Sequence, residues 1–148
     1  MSYYPLVTYL VSLAIAQGVK PFIMYIKTKQ FSLKHIFDSG GYPSAHSAGV
    51  VSLATSVGLS DGFGSSTFAI AFVLAVIVMF DAINVRWYAG RNNVLTKQIV
   101  KDLKYTIDEN DPIYNDDLKD VLGHTKPELV TGIILGIFVA IVLYLIWR

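Results

Sequence analysis

Thirteen consecutive residues at 68–80, FAIAFVLAVIVMF, carry no polar side chain. A helix made from them has no hydrophilic face, which points to a bilayer rather than a water-soluble core. The run sits in one of four stretches apolar enough to cross about 30 Å of hydrocarbon, a distance that takes roughly 20 residues. They lie at about 3–19, 44–59, 65–85 and 129–147, the second being short and rich in small residues. None contains Lys or Arg, and Asp81 is the only acid inside one. The expected fold is therefore an all-α membrane protein, a four-span transmembrane helical bundle forming one integral-membrane domain over 1–148. Charged residues make up only 16% of the chain, against about a quarter in an average soluble domain.

The first stretch also resembles a secretory leader, since Ala14-Ile15-Ala16 has the small-residue pattern of a cleavage site. The preceding MSYYP has no Lys or Arg, which a leader should carry. It is read as a span. With no cysteine, disulfides, thiolate metal sites and cysteine nucleophiles are excluded. A net charge of +1 gives no reason to expect nucleic acid as a partner. The bilayer and its lipids are the expected partners.

Basic residues set the expected orientation. Lys20, Lys27, Lys29 and Lys34 fall between the first two spans. Arg86, Arg91, Lys97, Lys101, Lys104, Lys119 and Lys126 fall between the last two. Cytoplasmic connections are enriched in Lys and Arg, so both are expected in the cytoplasm and both termini outside. In NVLTKQIVKDLKYTI, at 93–107, apolar residues recur with helical spacing and lysines occupy the other face. This is read as a cytoplasmic amphipathic helix lying on the headgroups. Gly132 and Gly136 form G-x-x-x-G, which permits close helix packing within a monomer as easily as across a homodimer.

The unusual polar residues of the spans gather at the same boundary. The first span ends with Gln17 and Lys20; the second begins with Pro43, Ser44, His46 and Ser47. The third ends with Asp81 and Arg86, and the fourth begins with His124 and Glu128. Lys20 and Arg86 offer cations, and arginine can hold a tetrahedral anion with two hydrogen bonds. A helix beginning near Ser44 would add backbone N–H groups and a positive dipole end. Ser44 and Ser47 add hydroxyls, while Gly40 and Gly41 let backbone approach a ligand. His124 and Glu128, four apart, would share a helical face, so the carboxylate could hold the imidazole. That makes His124 the better nucleophile and His46 the better acid. Asp81 is costly in a span unless paired, so it is expected to orient Arg86 or Lys20. Gln17 is read as a supporting hydrogen bonder. His35 belongs to no motif.

AQGVK, GGYPSAHSA, DAINVRWYAG and GHTKPEL together resemble the divergent branch of the type 2 phosphatidic acid phosphatase superfamily, related to vanadium haloperoxidases. The parent superfamily carries K-x6-R-P, P-S-G-H and S-R-x5-H-x3-D. By this resemblance Lys20, Ser44 and Arg86 bind phosphate, His46 protonates the leaving group, and His124 is the nucleophile. Glu128 replaces the supporting aspartate. Ala45 stands where the family usually has glycine and Val85 where it has serine. No Arg-Pro follows Lys20, so Lys34 is the candidate second cation. A long insertion of 37 residues separates Arg86 from His124. The resemblance implies cleavage of a lipid phosphomonoester or pyrophosphate through a phosphohistidine, without a required metal or cofactor. A cytoplasmic mouth favours phosphatidylglycerol phosphate, then phosphatidic acid; undecaprenyl diphosphate would more usefully be cleaved outside. A non-catalytic module binding anionic headgroups is the alternative class.

Overall fold

The computed structural model describes residues 3–29, 32, 40–102 and 125–147. Lys34, His35 and His124 lie outside them, as does the stretch 103–124. Every regular element among the described residues is helical. Helix α1 spans Tyr4–Thr28, with Pro5 in its first turn, where a missing N–H costs nothing. It stops at Lys29, whose left-handed backbone returns its N–H to the Tyr25 carbonyl. Helix α2 spans Ala45–Asp61. Gly62 ends it at φ +94°, a conformation that favours glycine, and the chain reverses into α3, Ser66–Phe80. A π-helical turn, Asp81–Val85, continues directly into α4, Arg86–Asp102. Helix α5 spans Lys126–Trp147.

Among the described residues, three helical runs are long and apolar enough to cross a membrane: Tyr4–Ile26, Ser66–Thr96 and Lys126–Trp147. The expected fourth span is α2, which at 17 residues is only about 26 Å long. It is the axis of the bundle, with α1, α3 and α5 all packed against it. Its composition explains this. Ala45, Ser47, Ala48, Gly49, Ser52 and Ala54 are small enough for three neighbouring backbones to approach closely. The reading of a third span closing near residue 85 also changes, because the helix runs on through the π turn without a break. Residues 94–102 are helical as expected, but as a prolongation of α3 rather than a separate piece.

The surface and interior are arranged for lipid. α3 buries only Ala71 and Ala75 and exposes large side chains such as Ile70, Phe72, Ile77 and Phe80. α1 turns the opposite character inward: Tyr4, Thr8, Ser12, Ala16 and Lys20 are all buried, each four residues from the last. One face of a helix recurs at that spacing, so α1 presents a polar stripe to the bundle. Ser12 donates to the Ala48 carbonyl at 3.0 Å, and Tyr4 to the Ala140 carbonyl at 2.7 Å. In a bilayer such bonds hold helices together where the hydrophobic effect does not, each contributing on the order of 0.6 kcal/mol.

Gly132 and Gly136 serve the monomer. A methyl at Gly132 would lie 2.5 Å from the Ser44 carbonyl oxygen, and one at Gly136 2.5 Å from that of Ala48. Successive glycines of α5 thus meet successive turns of α2, and the two helices run parallel.

Candidate active site

Helix register decides which span ends meet. Against α2, α1 runs antiparallel: Thr8 lies by Ser52, Ser12 by Ala48, and Ala16 by Ala45. One turn further places Lys20 just beyond the start of α2. α3 is also antiparallel, with Ala71 and Ala75 against Val50, Val51 and Ala54. Its continuation therefore reaches the α2 start near Ala82, which is buried. The N-termini of α2 and α5 are joined directly, the Ser44 N–H donating to the Glu128 carbonyl at 3.0 Å. The start of α1 and the end of α5 occupy the other end, where Tyr4 packs against the rings of Tyr144 and Trp147.

The start of α2 is built by its own serines. Ser44 has extended backbone, and its hydroxyl caps the helix by accepting from the Ser47 N–H at 3.3 Å. The Ser47 hydroxyl donates to Ser44 Oγ at 2.9 Å. Both serines are fully buried, so their bonds organise the helix end beneath the site rather than its surface. Ser44→Ala should lower stability by about 1 kcal/mol, as loss of an N-cap does. A reduced midpoint in detergent thermal melts would show it, and an unchanged midpoint would count against the capping role. Gly41, half-buried, holds φ +88°, so the backbone entering Pro43 and Ser44 needs glycine there. His46 lies in the first turn and is half-buried.

α5 begins with a capping arrangement. The Thr125 N–H donates to Glu128 Oε2 at 3.2 Å, and the Leu129 N–H to the Thr125 carbonyl. Glu128, expected to support His124, thus closes the first turn of α5, and its backbone carbonyl ties that turn to α2. Each helix N-terminus carries roughly half a positive charge. Two of them side by side, with no acid in the first turn of α2, favour an anion at this end.

Lys20 is 3% exposed, an uncommon place for lysine in an apolar bundle. Beside it on α1, Gln17 has a buried Oε1 without a hydrogen-bond partner among the described residues. Pro21, also buried, has no N–H for the Gln17 carbonyl four residues earlier. The buried Gln17 Oε1 thus lies at the same end as the helix N-termini.

Arg86 is placed differently. Its Nε donates to Asp81 Oδ2 at 2.7 Å, and both side chains are substantially exposed, at 44% and 37%. The π turn makes this pair. Residues five apart point in different directions on a regular α-helix, but here the Arg86 N–H returns to the Asp81 carbonyl, and the wider turn brings the two side chains together. Of the two partners expected for Asp81, the structure gives Arg86. Arg91, one turn on, stacks its guanidinium 4.9 Å from the Trp87 ring centre. Trp87, Tyr88 and the arginines together form the kind of belt found at a membrane boundary.

Of the polar stripe of α1, only Lys20 was among the sequence-derived candidates. Its signal was nonetheless present in the chain, as Thr8, Ser12 and Lys20 fall on the four-residue spacing of one helical face.

A family model described as "Divergent PAP2 family" matches residues 1–139. The chain is 34% identical over 147 residues to the uncharacterized membrane protein YuiD of Bacillus subtilis (strain 168), covering 95% of this chain and 93% of that protein. No solved structure matches the chain.

Proposed function

The chain belongs to the Divergent PAP2 family, and from that premise we propose that it is a membrane phosphatase acting on a lipid phosphate at the joined N-termini of α2 and α5. The observation that carries the reading is the Ser44–Glu128 backbone bond. It sets two helix N-termini side by side at the end where α1 delivers buried Lys20, a combination suited to a phosphoryl group.

In this proposal an imidazole nitrogen of His124 attacks phosphorus and the phosphorus–oxygen bond to the lipid breaks. His46 gives its proton to the departing alkoxide. Water then attacks the phosphohistidine, His46 takes up its proton, and inorganic phosphate leaves. Lys20, the helix ends and Arg86 balance the charge on the phosphoryl oxygens, with Lys34 a second cation. Gln17, Ser44 and Ser47 support the pocket. The site faces the cytoplasm and the termini lie outside, as the distribution of lysine and arginine suggests. The whole chain acts as one domain.

Phosphatidylglycerol phosphate is the proposed substrate, ahead of phosphatidic acid and undecaprenyl diphosphate. Purified protein in detergent should release inorganic phosphate fastest from the first of these. Equal or reversed rates would overturn the ranking. If wild type releases no more phosphate than His124→Ala from any of the three, the phosphatase reading fails. A headgroup-binding protein then remains, a reading favoured by the engagement of Arg86 with Asp81. Lys20→Met should lower phosphate release by on the order of 100-fold, the usual effect of losing one charge-stabilising donor. Full activity in that variant would remove Lys20 from the site.

A further inference from the structure

Gln17 is half-buried, yet its Oε1 is enclosed and receives no hydrogen bond from any described group, Lys20 included. An amide oxygen shut away from water in this state costs stability until a donor arrives. Its place in the bundle is set by Ala16, the preceding residue, which packs against Ala45. Gln17 therefore lies level with the first turn of α2, which carries half-buried His46. Lys20 follows three residues later, about 4.5 Å further along the α1 axis. Pro21 adds to the deficit, because it denies the Gln17 backbone carbonyl its usual helical donor. Acceptors thus adjoin the cationic end of the bundle. Oxygens of this kind also suit a metal cation. Here the buried Lys20 ammonium opposes one, as does the N-terminus of α2, with no acid in its first turn. A phosphomonoester dianion offers only acceptors and cannot fill the gap either. What Oε1 lacks is a neutral O–H beside the phosphate.

We propose that Gln17 selects the substrate: its Oε1 accepts a hydrogen bond from a free hydroxyl on the carbon next to the one that carries the phosphomonoester. The proposal rests on the phosphatase reading and adds the headgroup feature that the site prefers, with the residue that recognises it. Lys20 and the helix ends hold the phosphoryl oxygens, and the hydroxyl lies one turn below, level with Gln17. Of the three candidate lipids, phosphatidylglycerol phosphate has such a hydroxyl, on the middle carbon of its terminal glycerol. Phosphatidic acid carries an acyl ester at that carbon, and undecaprenyl diphosphate has no alcohol group. A hydrogen bond thus gives the same first choice as the charge distribution does, without reference to which side of the membrane the site faces. A substrate lacking the hydroxyl leaves a buried acceptor unmatched, which lowers its rate by a factor of roughly 10 to 100.

Two short-chain lipids test this with the full-length protein in detergent: phosphatidylglycerol phosphate, and its analogue lacking the middle hydroxyl of the terminal glycerol. Wild type should release phosphate from the first with a kcat/KM roughly 10-fold or more above that for the second. In Gln17→Leu, which keeps the bulk and loses the acceptor, the ratio should fall to near one. A ratio taken within one preparation does not depend on how much of it is folded. A wild-type ratio near one overturns the proposal, and that result needs no variant to fold. So does a preference kept in Gln17→Leu. An equal loss on both lipids in that variant also overturns it, since Gln17 would then be serving the phosphate. Displacement of radiolabelled phosphatidylglycerol phosphate from His124→Ala protein by each unlabelled lipid gives the same ratio without turnover. If wild type releases no phosphate but displacement shows the preference, and Gln17→Leu abolishes it, the phosphatase reading fails while the hydroxyl contact stands. Equal displacement by the two lipids, or no binding of the radiolabelled one, removes the contact.

Discussion

Gly132→Val should leave little folded protein. The first atom of the new side chain would stand 2.5 Å from the Ser44 carbonyl oxygen and 2.9 Å from Ser47 Cβ. The nearest obstruction is backbone, so no rotamer change can relieve it, and α5 must move away from α2. Overpacking a tight core commonly costs 1–3 kcal/mol, and a clash between two helix backbones should reach at least about 3. The displacement would also break the Ser44–Glu128 bond that joins the two helix ends. Loss of a cooperative thermal transition, together with loss of phosphate release, is the expected outcome. A variant at Gly18, where a side chain meets nothing within 4 Å, is the matched control and should melt normally. A Gly132→Val protein melting like wild type would show that α2 and α5 are not packed as described.

The two histidines should separate by leaving group. His124→Ala removes the proposed nucleophile, so phosphate release should fall by on the order of 1,000-fold or more for every substrate, the scale of losing a catalytic nucleophile. His46→Ala removes the proposed acid. A lipid alkoxide is a poor leaving group and needs the proton, so lipid hydrolysis should fall by roughly 100- to 10,000-fold. Nitrophenolate departs without a proton, so His46→Ala should hydrolyse nitrophenyl phosphate far closer to the wild-type rate. Equal losses on both substrates would deny His46 the role of acid. Retained activity in His124→Ala would deny the phosphohistidine. Melting curves matching wild type in both variants would keep these effects chemical.

Much of the candidate site is legible in the sequence because its residues sit where an apolar stretch ends. Lys20, Ser44, Asp81 and Glu128 each stand out against apolar neighbours, and hydropathy alone fixes the depth at which each must lie. The Asp81–Arg86 pair was half legible. The need for a partner follows from an acid in a span, but the choice of Arg86 depends on a π turn that DAINV does not advertise. The buried stripe of α1 was overlooked because Thr8 and Ser12 are common enough in membrane helices to pass as lipid-facing. Only the neighbouring α2 gives Ser12 the Ala48 carbonyl to bond, and brings the Ser52 hydroxyl to the Thr8 carbonyl.

The chain by itself determined that apolar helices would cross a bilayer, that their polar ends would share a boundary, and that Gly132 and Gly136 would admit a close neighbour. These follow from residue size and polarity, which act wherever a helix sits. Tertiary structure alone decided that the neighbour is α2 of the same chain, that α2 is the enclosed axis, and that α3 runs on into α4. A small side chain such as alanine or serine is equally compatible with lipid and with another backbone. Which of them it meets depends on the shapes of the facing helices, and those come together only when the whole bundle packs.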